Sequence, residues 1–326
     1  MPFPHNPTFN PEAARLDQLS LRYRFDQIQS DLSTTESVLL ETFLDVLSGA
    51  KLEDAGLFDV LRVWALSGYS ADGILALVSL FKLRDGQSFL ARKLYDEALE
   101  TGNVSYKFSC PIVSISEHAT GGVEVETATH QIFRGRKVIC TVPHNILDSV
   151  SISPPLNSVQ QEAIRTHHVN QTTKVHAEVQ PADLRTWNGI CPGSQLIHAA
   201  GEAITPAGNA HVICFGTAAN PIQPEASIQD TVAAVKAFHE KIEVKRLVFH
   251  NWAADAYAKG GWSALPPGMN TTKSIGVLRE AHGNMHFASS DWALGWRSFI
   301  DGAIEEGTRA AKSVKNTLRD YATNRL

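Results

Sequence analysis

The sequence predicts a mixed α/β protein in which a helical segment is followed by two sets of strands and a last helix. Hydrophobic residues recur at three- and four-residue spacing from about residue 12 to 102, which is typical of helices. From about 104 to 141 the spacing changes to two, which is typical of strands. With 326 residues, the chain can form one large domain or two interleaved ones.

The helical segment contains its own start and stop signals. Ser33 and Glu36 form a Ser-x-x-Glu pattern, which predicts a capping box at a helix start. Gly49 and Gly68 interrupt the apolar periodicity and are expected to end helices. Residues 12 to 102 are therefore expected to form several helices.

The strand segment begins with a predicted hairpin, because Gly121 and Gly122 precede the alternating run 123–126. Pro154 and Pro155 end this block. The pattern then predicts a helix, three strands, a helix and a strand, at about 157–168, 172–180, 195–200, 211–217, 226–241 and 245–251.

A short apolar strand at 285–288 runs into small residues and the carboxylate of Asp291, and a glycine-punctuated helix follows. A carboxylate accepts hydrogen bonds from sugar-like hydroxyls, and a helix N-terminus suits an anion or an electron-rich ring. The stretch therefore fits a cofactor site, and an ordinary strand–helix unit is the alternative.

Composition excludes several classes of protein. The net charge is −5 and no basic run exceeds two residues, so neither nucleic acid nor an anionic membrane is expected as a partner. The four cysteines show no Cys-x-x-Cys spacing, which predicts buried free thiols and a cytoplasmic location. The last residues, 324–326, resemble a peroxisomal address, which makes the peroxisome the second candidate compartment.

The stretch from 283 to 311 resembles the C-terminal FAD-binding segment of flavin-dependent amine oxidases, the monoamine oxidase family, and most closely its fungal members. The resemblance extends from about residue 15 to 320. It rests on the order and spacing of several further segments, at 47–50, 64–69, 85–88, 138–143, 251–262 and 266–268.

One family element has no counterpart in this sequence. Members begin with a Gly-x-Gly-x-x-Gly turn that cradles the FAD pyrophosphate, whereas no two of the 22 glycines here are separated by one residue. We therefore expect a truncated amine oxidase fold. A proline-rich segment (1–11) would precede a substrate domain (12–87 and 151–257) that is interleaved with a remnant FAD-binding domain (88–150 and 258–326).

Lys174 lies on an alternating strand that puts Lys174, His176 and Glu178 on one face. The residues alone favour a solvated polar face. The resemblance implies instead that Lys174 is catalytic and holds a water at the flavin, because a lysine in this strand has that role in the family. His176 and Glu178 are expected to be structural.

The resemblance also assigns aromatic and cofactor-binding residues. Trp262 and Phe299 would be the two rings that flank the substrate amine, with core aromatics as the alternative. Ser298 stands where the family commonly has glycine. FAD would be held without a covalent bond, since no cysteine lies near Trp262, by a set of residues at the start of the last helix: Ser290, Asp291, Trp296, Ile300, Gly302 and Ala303.

The implied reaction is FAD-dependent oxidation of a C–N bond in a small amine. Because the nucleotide-binding fingerprint is missing, the isolated chain is expected to bind FAD weakly or not at all. An N-terminal partner chain or self-association would then complete it. The alternatives are a cofactor-independent enzyme of secondary metabolism, a binding protein for an apolar metabolite that reuses the substrate cavity, and a catalytically dead family member.

Overall fold

The computed structural model describes residues 1, 5–271 and 275–323. Part of the predicted proline-rich segment (2–4) and the tripeptide that resembles a peroxisomal address (324–326) lie outside the described residues. The secondary structure alternates in the predicted order, so the mixed α/β class is confirmed.

The first part of the chain is helical, as expected. Ser33 Oγ accepts a hydrogen bond from the Glu36 N–H at 3.3 Å, which confirms the capping box. Gly49 ends the same helix in the left-handed conformation, with φ of 62°. The helices in this region are α1 (Glu12–Asp17), α2 (Leu21–Ile28), α3 (Thr34–Ser48), α4 (Leu57–Leu66), α5 (Ala71–Leu75) and α6 (Gln87–Glu100).

The strands begin after residue 110, and three further helices lie between them. The strands are β1 (Ile112–Glu117), β2 (Val123–Thr127), β3 (Ile132–Gly135), β4 (Val138–Cys140), β5 (Ser151–Ser153), β6 (Lys174–Gln180), β7 (Asn188–Ile190), β8 (Leu196–Ile204), β9 (Ala210–Gly216), β10 (Glu243–Phe249) and β11 (Met285–Phe287). The helices are α7 (His144–Leu147), α8 (Ser158–Arg165) and α9 (Ile228–Lys236), and α10 (Ile300–Thr323) follows the last strand.

These strands form three sheets. A four-stranded sheet has the order β3-β2-β1-β5, and β4 pairs in parallel with β11. The predicted hairpin at Gly121 and Gly122 joins β1 to β2, and both glycines have positive φ. The parallel pairing of β1 with β5 crosses the domain boundary predicted at 150/151, and the domain division stays a prediction.

The five-stranded sheet, ordered β10-β6-β9-β8-β7, positions the candidate site. Its two faces differ because β6 alternates: Val175, Ala177 and Val179 are fully buried and pack against α9, whereas Lys174 and His176 point to the other side and are partly exposed. We call this second side the open face. It comprises Lys174, His176, Glu178, His198, His211, Phe215 and Arg246, which share a register across the strands.

The helix α10 buries polar rather than apolar residues in its first turns. Glu306 has no exposed surface and pairs with Arg279 at 3.0 Å and Arg309 at 2.8 Å. Ile300 and Ile304 remain 41% and 54% exposed. The start of α10 therefore presents an uncovered apolar surface.

Two of the four cysteines, Cys140 and Cys214, are buried and free, as predicted for all four, whereas Cys110 and Cys191 are partly exposed. Among the described residues, no helix combines the length and apolar character that a bilayer crossing requires.

Candidate functional site

Lys174 and Trp262 both contact one aromatic ring of the open face, that of Phe215. The Lys174 Nζ is 5.4 Å from the centroid of the Phe215 ring. The Phe215 and Trp262 rings meet edge to face, with centroids 6.3 Å apart. The structure thus brings a cation and two rings together in series, an arrangement that suits an amine beside an aromatic wall.

Lys174 is partly removed from water. Burial lowers the pKa of its ammonium, and the carboxylate of Glu202 acts in the opposite direction. Glu202 is itself paired with Lys82. A lysine in this environment deprotonates more readily than one on the surface, and it is a compact hydrogen-bond donor for water or substrate.

Trp262 and Phe299, which were expected to flank a substrate together, are linked through their neighbours. The Trp262 Nε1–H donates to the Leu47 carbonyl at 2.9 Å, which fixes the indole against α3. Ser298 Oγ donates to the Ser263 carbonyl, so the backbone segments that carry the two rings touch. Their pairing around a substrate stays a prediction.

Phe299 itself is 36% exposed. Its ring meets the Trp296 ring edge to face, with centroids 5.5 Å apart. Both rings lie just before the first residue of α10, the exposed Ile300. This corner therefore combines aromatic surface with a helix N-terminus.

The carboxylate of Asp291 has a structural partner within the chain. Asp291 Oδ2 accepts a hydrogen bond from the backbone N–H of His144 at 2.9 Å, at the start of the short helix α7. Ser290 Oγ lies 3.5 Å from the other oxygen, Oδ1. One oxygen therefore caps α7 and the other keeps acceptor capacity, so a contact to sugar hydroxyls stays a prediction.

The first turn of α10 fits the ring end of a flavin. The first N–H groups of a helix have no partner within it, and here the Ala303 N–H already donates to the Phe299 carbonyl at 3.2 Å. Ile300 and Ala303 are exposed. Gly302 is buried, and a Cβ there would stand 2.3 Å from the Trp296 carbonyl oxygen. Glycine thus permits the close approach of the loop to the helix, and a planar ring with hydrogen-bond acceptors suits the surface that results.

Two buried histidines near Asp291 were not predicted as a group. Burial lowers the pKa of His144, and it lowers that of His168 to about 4. The Nδ1 atoms of both rings are buried without a hydrogen-bond partner among the described residues. Only the fold brings the two rings together, with centroids 6.5 Å apart. No group of residues suited to a metal occurs in the described part of the chain.

A cavity of about 460 Å³ opens on the same face as Lys174, further along β6. His176 and His211 form part of its wall, with His176 Nδ1 3.0 Å from His211 Nε2 and nearly parallel rings. His176 and Glu178 are expected from the sequence to be structural. Strand alternation placed them beside Lys174, but it could not show that a cavity adjoins them.

Comparisons with known proteins give the family. The model of the flavin containing amine oxidoreductases matches residues 11–315. Nicotine dehydrogenase of Pseudomonas putida is 24% identical over 318 residues, which cover 97% of this chain and 64% of that protein. The chain thus spans less than two thirds of the length of this relative.

Solved structures share the fold. A redesigned variant of putrescine oxidase superposes with a TM-score of 0.77 at 17% identity, over 95% of this chain and 70% of the other. Cyclohexylamine oxidase from Brevibacterium oxydans gives a TM-score of 0.73 at 17% identity, over 96% of this chain and 71% of the other. Because the family match extends over most of the sequence, the chain belongs to the family of flavin containing amine oxidoreductases.

Proposed function

We propose that this chain forms the amine-binding side of a flavin-dependent oxidase or dehydrogenase that oxidises a C–N bond in a small amine. The observation that supports this most directly is the half-buried Lys174 beside the Phe215 and Trp262 rings on the open face. The relatives are named for nicotine, putrescine and cyclohexylamine, which are all small amines.

The side chains of this site bind and orient the substrate. Phe215 and Trp262 provide apolar walls that align the carbon next to the nitrogen and exclude bulk water. The Lys174 Nζ donates a hydrogen bond to a water on the substrate side. Burial lowers its pKa, so Lys174 gives up a proton more readily than a surface lysine does.

The flavin would lie against Phe299, Ile300, Gly302 and Ala303, with Asp291 and Trp296 near its sugar chain. When bound, it would supply the hydride acceptor for the carbon next to the amine nitrogen. The exposed first turn of α10 supports this placement of the ring end. The 326 residues contain no Gly-x-Gly-x-x-Gly turn for the pyrophosphate end, so we expect FAD to bind this chain weakly. We expect no covalent bond, because no cysteine lies near Trp262.

The Lys174→Met variant tests the proposal, because it removes the ammonium and keeps most of the side-chain volume. With FAD in excess and a panel of monoamines, anaerobic flavin reduction followed by its visible spectrum should slow at least about tenfold. The melting temperature should be unchanged. Lys245→Met, on β10 and outside the cavity, is the matched control. Equal reduction rates in Lys174→Met and the parent chain would refute the role of Lys174.

A binding protein without redox activity is the second candidate. The missing pyrophosphate turn and the use of one Asp291 oxygen to cap α7 both favour it. In that case purified protein would be colourless and amines would still bind to the open face. A flavin that stays bound through gel filtration would exclude this candidate.

A further inference from the structure

The charges on the open face leave no carboxylate free for a second cation. Glu178 accepts hydrogen bonds from Thr205 Oγ1 and Asn209 Nδ2, each at 2.8 Å, and lies 3.3 Å from Arg246 Nε. Glu202, the other acid on this face, is paired with Lys82.

Lys174 forms no ion pair within the described residues. With Lys82 and Glu202, which lie at its margin and act on its histidines, the open face has the cations Lys82, Lys174 and Arg246 against two carboxylates. Its net charge is therefore positive. An ammonium group that enters it would meet repulsion rather than a counter-ion.

The histidine pair supplies hydrogen bonds without charge. One proton lies between His176 Nδ1 and His211 Nε2, which are 3.0 Å apart. Whichever ring donates it, one of the two outer nitrogens is then a donor and the other an acceptor. Burial lowers the pKa of both rings, that of His176 to about 4, so the pair is neutral at pH 7. A hydroxyl, carbonyl or ring nitrogen matches it.

The cavity begins one residue pair along β6 from the lysine, at His176. His176 follows Lys174 by two positions on β6, a rise of about 7 Å along the strand. Ala203, Ile204, Pro206 and Val248 line the rest of the cavity. A substrate whose amine lies near Lys174 would thus place its far end among apolar side chains and the histidine pair.

We propose that the site selects a monoamine whose far end is uncharged and bears a hydrogen-bonding group, and that it rejects diamines. This rests on the proposed function, because it assumes that the amine binds beside Lys174. The inference deepens that function by naming the substrate class, and it separates this chain from a protein that binds putrescine.

Three probes of equal length separate the possibilities: 5-aminopentan-1-ol, 1,5-diaminopentane and hexylamine. Calorimetry on the full chain at one pH measures their affinities, and any cost of binding the first amine is common to all three. We expect the amino alcohol to bind at least tenfold more tightly than the diamine and several-fold more tightly than hexylamine. A diamine that binds as well as the amino alcohol overturns the proposal, and so does the absence of binding by all three.

Variants that change one charge or one hydrogen-bonding side chain test which residues cause the preference among the three probes. Arg246→Glu changes a side chain that is 68% exposed, so folding should be retained and diamine affinity should rise at least fivefold. Lys245→Glu makes the same change in net charge outside the cavity and should have no effect. His176→Leu should abolish the advantage of the amino alcohol over hexylamine, and His176→Gln should keep part of it.

The failure of this inference differs from the failure of the proposed function. If diamines bind best while Lys174→Met still slows flavin reduction, only the substrate class is wrong. If Lys174→Met has no effect on flavin reduction but the amino alcohol is preferred, the cavity has its predicted selectivity and the redox role is wrong. An unchanged probe preference in both Arg246→Glu and His176→Leu would show that the probes bind elsewhere.

Discussion

At the scale of single residues, Asp45 is a carboxyl group near the candidate site whose pKa is raised by burial. It lies on α3, two residues before Leu47, the hydrogen-bond partner of Trp262. Asp45 Oδ2 accepts a hydrogen bond from Thr217 at 2.7 Å, whereas Oδ1 is buried without a partner among the described residues. Burial raises the pKa of Asp45 to about 6, and the Thr217 bond only partly offsets this.

This raised pKa predicts a pH dependence of stability. The folded chain holds a proton on Asp45 that the unfolded chain releases near pH 4, so between about pH 4 and 6 this group makes the free energy of unfolding fall as pH rises. Asp45→Asn keeps an acceptor for Thr217 and removes the charge. In this variant we expect the free energy of unfolding not to show the decrease that Asp45 causes between about pH 4 and 6. We also expect the variant to be more stable than the parent at pH 7.

Urea denaturation at pH 4, 5, 6 and 7 measures this difference. The exposed Asp54→Asn serves as control and should follow the parent curve. Parallel curves for Asp45→Asn and the parent would contradict the assignment.

At the scale of elements, the junction before α10 depends on Ser298. Its φ of 73° lies in the left-handed region, where glycine is favoured and other residues are strained by about 1 kcal/mol or more. Ser298 compensates by donating to the Ser263 carbonyl, and its N–H donates to the Ser290 carbonyl at 3.1 Å. This explains how serine occupies a position where the family commonly has glycine.

Two substitutions separate these effects. Ser298→Ala keeps the strain and loses the side-chain hydrogen bond, which should lower the free energy of unfolding by about 1 kcal/mol. Ser298→Gly loses the same bond but relieves the strain, so it should be close to the parent. Chemical denaturation measures both. Glycine proving less stable than alanine would show that strain at this position is negligible.

At the scale of the whole molecule, the largely buried Asp59 joins an N-terminal helix to the late loops. Asp59 of α4 accepts hydrogen bonds from Arg297 Nη1 at 2.7 Å and from the Leu265 N–H at 2.9 Å. Arg62, which bonds the Gly295 carbonyl, is fully buried, and burial lowers its pKa to about 9. Asp59 thus lies beside two buried cations and connects segments more than 200 residues apart.

Asp59→Ala should therefore be strongly destabilising, by about 3–5 kcal/mol, because it leaves buried arginines uncompensated. Glu12→Ala removes an exposed ion pair with Arg15 and should change stability by less than about 1 kcal/mol. The denaturant midpoint of each variant measures this. A loss below about 1 kcal/mol for Asp59→Ala would mean that water reaches the network.

Local patterns decided which elements form. The capping box at Ser33, the glycine end at Gly49 and the alternation of β6 could each be read from the sequence, because backbone geometry and solvent exposure act over a few neighbouring residues. The short elements α7, β5 and β7 were missed, since three or four residues give no measurable period. The family could be named because its segments keep their order over most of the chain.

Residue spacing and segment order were sufficient to predict the fold class, the family and the face of β6 on which Lys174 lies. The surroundings of that lysine became visible only in the folded chain: Phe215 beside it in contact with Trp262, and the His176–His211 pair with its cavity further along β6. The same holds for Asp291, which caps α7. Secondary structure follows from local spacing, whereas burial, pKa and charge balance depend on side chains that meet only when distant strands and loops pack together.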